Sequence, residues 1–236
     1  MHILNDFLDL YSRSEEISIN LIPEFFLFSS GKKDALRFSV NNNDLLKIIE
    51  LAAKYNFHYD YTEFSVHSDG NNWSTLLPAG SGSNDAENEN IFVITLGYNK
   101  TLIYDCLRAE NDFDFQKAGE LLGYPSCCVN AYAEIDSYKQ NWVHYYYNKH
   151  PNSYQSYLNN RIASIHGYGC FSGEFFPCSL QCSITREIAK TAENLMKKNG
   201  FQDLQKVFKM HTLSPLYLDD DGMIITSSTN RFIRFK

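Results

Sequence analysis

A chain of 236 residues that is 44% hydrophobic and carries 17 Phe, 16 Tyr and 2 Trp has ample material for a buried core, which excludes a disordered chain. The net charge is −7, and the densest basic runs are only the pairs Lys32-Lys33 and Lys197-Lys198; with so little counterion-release drive, no nucleic-acid partner is expected. No run approaches the roughly 18 apolar residues of a membrane span, and MHILNDFLDLYSRSEE has acids where a signal peptide needs basic residues. The expectation is therefore a cytoplasmic chain with no membrane partner. There its six cysteines are thiols, metal ligands or catalytic groups.

In chain order, SINLIPEFFLFSS (18–30) mixes strand and helix signals, and Pro23 puts it at a sheet edge or breaks it in two. NNNDLLKIIELAAKYNF (41–57) opens on Asn and Asp capping residues, and Leu45, Ile49, Ala52 and Ala53 then fall on one helical face. HYDYTEFSV (58–66) alternates as a half-buried strand does. The polar stretch 69–90 reads as a long loop or boundary, and its glycines lack a phosphate-binding pattern. IFVITLG (91–97) and KTLIYDCL (100–107) read as two strands around a short turn.

After Asp112 the signals turn helical. FDFQKAGELL (113–122) stops at Gly123, and Ser126 is placed to cap CCVNAYAEI. Two further helices are expected over 136–150 and 154–166, then a Gly- and aromatic-rich connector to Pro177. CSITREIAKTAENLMKKNG (182–200) has the strongest helical pattern, with Ile184, Ile188, Ala192 and Leu195 on one side and Gly200 ending it. LSPLYLDDDGMIITSS (213–228) reads as a hairpin turning at Asp-Asp-Gly. The fold class expected is α+β: a small mixed β-sheet within 1–108, and a helical cysteine-bearing region over 109–236 whose C-terminal β-hairpin returns to the sheet.

Four of the six cysteines come in two pairs, in GYPSCC (123–128) and FPCSLQC (176–182). Both pairs lie at expected helix starts, where unpaired N–H groups and the helix dipole favour a thiolate. Adjacent helical side chains diverge by roughly 100°, which makes Cys127 and Cys128 awkward ligands for one ion. The expected centre therefore has three ligands, Cys128, Cys178 and Cys182, and leaves Cys127 as a reactive thiol. Cys128 is taken as the inward member because Val129, Tyr132 and Ala133 continue an apolar stripe from it. Three thiolates leave a coordination position open, as in a catalytic centre. The spacing C-C-x49-C-x3-C matches neither a zinc finger nor a ferredoxin run. An iron–sulfur cluster is the first expectation, with zinc or a metal-free thiol pair as alternatives. His166 and Glu174 are the acid/base candidates, against the plainer readings of a surface histidine and a solvated loop carboxylate. Asp219, Asp220 and Asp221 lack the spacing of a calcium loop.

The stretch AENDFDFQKAGELLGYPSCCVNAY (109–132), followed by FFPCSLQCSITREIAK (175–190), resembles an uncharacterised family of archaeal and bacterial proteins. Its members share G-x-L-L-G-Y-P-x-C-C and a later P-C-x3-C. The resemblance carries no activity, but it implies that the two cysteine pairs belong together. The expected function is an enzyme doing sulfur or redox chemistry on a small molecule or peptide. The alternatives are a thiol–disulfide oxidoreductase and a non-catalytic binding module stapled by zinc or disulfides.

Overall fold

The computed structural model describes residues 2–14, 17–68, 74–78, 90–134, 171, 173–179, 182–213, 216–218 and 224–226. Its class is α+β. The chain begins with α1 (His2–Arg13), α2 (Leu21–Ser29), β1 (Ala35–Val40) and α3 (Asn42–Tyr55). Strands β2 (His58–Ser68), β3 (Ser74–Pro78) and β4 (Asn90–Gly97) follow, then α4 (Lys100–Asn111), α5 (Phe115–Leu121) and α6 (Ser126–Glu134). The last elements are α7 (Ser183–Lys198), α8 (Gln202–Leu213), β5 (Leu216–Leu218) and β6 (Ile224–Thr226). The helices expected over 136–150 and 154–166 lie outside the described residues. Among those described, no helix is long and apolar enough to cross a membrane.

Two compact units divide the chain, and the division is not linear. One holds Asn5–Ile17 and Asp34–Gly123; the other holds Met1–Leu4, Ser18–Lys33 and Tyr124–Lys236. A single cut at 108/109 therefore describes neither: residues 109–123 group with the sheet, and Ser18–Lys33 groups with the cysteines.

In the sheet unit the strand order is β1-β4-β2-β3, and every ladder is antiparallel, so the sheet is not mixed. Ile94 of the central strand β4 lies opposite both Phe38 and Tyr61; Leu36, Phe38, Val93, Ile94 and Leu96 are fully buried. Helix α3 starts where expected, with the Asn41 side chain accepting the Asp44 N–H at 2.9 Å. Its buried face is Leu45, Ile48, Leu51 and Ala52, one residue round from the expected stripe.

KTLIYDCL is not a strand but the body of α4. Its β-branched and aromatic residues imitate a strand, but Ile103, Cys106, Leu107 and Glu110 recur on one helical face and are all buried. The Asn99 side chain accepts the Leu102 N–H at 3.2 Å and starts the helix. Buried Glu110 then receives Arg37 of β1 through two bonds of 2.5 and 3.2 Å.

The cysteine unit is helical. Pro23, in the first turn of α2, needs no intrahelical donor, so the segment is one helix rather than an edge strand. Its residues Leu21 to Phe28 are all buried, Glu24 among them. Helix α2 packs against α7, and Phe26 meets Phe201 edge to face with centroids 5.3 Å apart. The buried side of α7 is Thr185, Ala189, Ala192 and Met196, while Ile184 is half exposed. Strands β5 and β6 pair antiparallel as a separate two-stranded ladder, not as part of the larger sheet; the connecting Asp219, Asp220 and Asp221 lie outside the described residues.

Candidate metal centre

The centre starts from two helix beginnings in the same unit. Gly123, with φ +77°, ends α5 as expected, and Pro125 turns the chain into α6. The Pro125 carbonyl accepts the N–H groups of Cys128 and Val129 at 2.8 and 2.9 Å. Pro125 thus occupies the capping position, and Ser126 is the first helical residue rather than the cap. Cys127 and Cys128 lie in the opening turn, the first half-buried and the second only 2% exposed.

At α7 the capping position is filled by Cys182 itself, not by Ser179 or Ser183. The Ser179 carbonyl accepts its N–H at 3.1 Å, and the Cys182 carbonyl accepts from Arg186 at 3.0 Å. Cys178 lies four residues upstream and is half-buried.

All four Sγ atoms lie within 4.8 Å of one another. Cys127–Cys128, Cys127–Cys182 and Cys128–Cys182 are each separated by 3.8 Å. The expected exclusion of one adjacent cysteine therefore fails, and the cluster has four members rather than three. The 100° argument constrains Cβ directions, but each Sγ stands one rotatable bond further out. In a first turn no preceding turn blocks the χ1 settings that bring two neighbours together.

The surroundings hold the sulfurs in place. The Cys178 N–H donates to Cys128 Sγ at 3.3 Å, and the fully buried Thr185 hydroxyl lies 3.3 Å from the same sulfur. Phe175, Tyr124 and Ile188 pack around the cluster, with the Tyr124 and Phe175 rings 4.9 Å apart. Burial pushes the Cys128 thiol well up and takes Cys178 up to about 12, with the neighbouring Cys182 and Cys127 adding to the latter. Burial opposes ionisation at Cys182 too, but hydrogen bonds from Thr185 (hydroxyl and backbone N–H), Cys178 and Cys127 outweigh it and bring that thiol down to about 7. Four sulfurs this close cannot all become thiolates unless a cation compensates them. A bound divalent metal would supply that compensation.

A second set of residues fixes the approach to Cys178. Glu24 of α2, 2% exposed, accepts the Glu174 N–H on Oε1 at 2.9 Å. Its Oε2 lies 3.5 Å from Lys33 Nζ. The Lys33 ammonium in turn sits 4.5 Å from the centre of the Tyr124 ring. Gly173 has φ +92°, and a Cβ there would come within 2.7 Å of Glu24 Oε1, so only glycine fits. Glu174 contributes its backbone N–H to this arrangement, and its carboxylate is not part of the metal-ligating group. His166 and Cys170 lie outside the described residues. Cys106 is buried in α4 of the sheet unit.

Sequence reasoning did not single out Thr185, Glu24 or Lys33 for the site. The available signal was Glu24, the lone charge within LIPEFFLFS; a charge in an otherwise buried helix needs a partner. Thr185 carried no signal, since one threonine in an amphipathic helix is unremarkable.

Residues 99–212 match the model of a family described as "Protein of unknown function (DUF483)". The match agrees with the uncharacterised family expected from the cysteine motifs, and both pairs lie within the matched span. No curated protein and no solved structure matches the chain.

Proposed function

We propose that Cys127, Cys128, Cys178 and Cys182 hold one metal ion, zinc, in a closed tetrahedral site, and that the chain is a metal-stapled binding module. The observation that carries this is the sulfur geometry. A zinc–thiolate bond of about 2.3 Å implies a tetrahedron with edges of about 3.8 Å, the separation found for three of the sulfur pairs. An iron–sulfur cubane binds each thiolate to a different iron at the corner of a body that itself fills the centre. Its ligand sulfurs must therefore stand well beyond the 4.8 Å limit that contains all four here.

Four protein ligands also leave no position for water or substrate, which is the pattern of structural zinc. The ion then joins the start of α6 to the start of α7, segments separated by about fifty residues of sequence, and its binding energy becomes folding energy. This reading favours the non-catalytic alternative over an enzyme with an open metal position.

Metal analysis of protein purified without added metal is the test. Colourless protein with one zinc per chain is expected, and cobalt substitution should give the absorption of a tetrahedral four-thiolate site. Brown protein holding iron together with acid-labile sulfide would overturn this reading.

A further inference from the structure

We propose that the centre has one reactive member, Cys127, through which a peroxide oxidises it and releases the metal. The inference rests on the four-thiolate reading above and adds to it a modification site and the chemical class of the reagent. Two properties decide which bound thiolate a small electrophile reaches: exposure, and an electrostatic setting that keeps negative charge on sulfur.

Only Cys127 has both. It is half-buried rather than buried and lies in the first turn of α6, where unpaired N–H groups and the helix dipole favour an anion. Cys128 shares that turn and Cys182 caps α7, but they are 2% and 7% exposed. The sulfur of Cys128 also has Thr185 Oγ1 and the Cys178 N–H at 3.3 Å, contacts that draw density from it. Cys178 is half-buried but lies in a bend outside any helix.

The chemistry balances as a two-electron oxidation. Cys127 Sγ attacks one oxygen of the peroxide, the O–O bond breaks, and hydroxide leaves a sulfenic acid behind. A second thiolate then attacks that sulfur, forms the S–S bond and expels a second hydroxide. Two thiolates have lost two electrons in total, and the peroxide has gained them.

The resolving thiolate comes from the Cys178/Cys182 side. Cys182 Sγ is 3.8 Å from Cys127 Sγ, and Cys178 Sγ is within 4.8 Å. Cys128 Sγ is equally near, but the Cα atoms of adjacent residues are only about 3.8 Å apart, short of the roughly 4.4 Å that an ordinary disulfide needs. With two of its four ligands joined, the ion leaves.

The experiment treats the metal-loaded full chain with hydrogen peroxide and follows metal release with a chromophoric chelator. Remaining thiols are blocked at intervals, and disulfides are mapped by peptide mass spectrometry. About one disulfide per metal released is expected, the first joining Cys127 to Cys178 or Cys182, while Cys106 stays reduced. A first disulfide that omits Cys127, or metal release without any disulfide, would overturn this proposal while leaving the four-thiolate site standing. Retention of metal at peroxide levels that oxidise a free-thiol peptide would overturn it as well. Untreated protein that contains no metal would instead remove the site reading, and this inference with it.

Discussion

The Thr185 hydroxyl, like the Cys178 N–H, hydrogen-bonds the Cys128 sulfur. Thr185 Oγ1 lies 3.3 Å from that sulfur and is sealed from solvent, and groups that hydrogen-bond to metal ligands tune affinity. Thr185→Val keeps the shape of the side chain and deletes the bond. We expect metal affinity to fall about 10- to 100-fold and Thr185→Ser to restore most of it, as read by chelator competition. Equal affinities for the valine and wild-type proteins would make the contact incidental.

Glu24 yields a pH prediction at the same scale. Burial raises its pKa above the ordinary 4.5, and the opposing Lys33 charge and Glu174 N–H do not cancel the effect. Folding therefore favours the protonated acid. The stability it contributes is full below the ordinary pKa and is lost as pH rises through the elevated folded value. Glu24→Gln keeps an acceptor for the Glu174 N–H and removes the charge. The stability of the variant relative to wild type should increase as pH climbs from about 4.5 toward neutrality, measured by urea unfolding across that range. A difference that stays flat with pH would show that Glu24 is not titrating there.

At the scale of elements, the bend before Cys178 depends on Gly173. Its φ of +92°, and the 2.7 Å that would separate a Cβ at this position from Glu24 Oε1, leave no room for a side chain. Gly173→Ala should cost about 1–3 kcal/mol and weaken metal binding as well, because the same bend delivers Cys178. Unchanged stability together with unchanged metal affinity would contradict that coupling. The elements themselves were unevenly legible. Helix α3, the strands β2 and β4, and the stop at Gly123 follow from caps, alternation and glycine, which are local signals. The helix α4 did not, because Thr101, Ile103 and Tyr104 carry strand propensity that tertiary burial of Ile103, Cys106 and Leu107 overrides. In α3 and α7 the helix was right and its face was displaced by about one residue, since a 3.6-residue period admits neighbouring stripes that only the packing partner separates.

For the whole molecule, the centre belongs to one compact unit and the sheet to the other. Metal and fold should therefore be coupled unevenly. Stripping the ion with a chelator is expected to abolish amide-exchange protection in α6 and the start of α7, while β1, β2 and β4 keep theirs. Hydrogen-exchange mass spectrometry of stripped and loaded protein measures this directly. Uniform loss of protection across the chain would mean that the two units fold as one cooperative system.

The sequence by itself determined that this chain folds, that its class is α+β and that Cys127 with Cys128, and Cys178 with Cys182, stand at two helix starts. Those conclusions rest on composition and on signals spanning a few residues. Only the tertiary structure decided that all four sulfurs converge, that Thr185 and the Cys178 N–H bond Cys128, and that Glu24 anchors the approach from residue 173. The physical reason is that a ligand set is fixed by distances between side-chain atoms. Segment spacing leaves those distances open, and side-chain rotamers and packing close them.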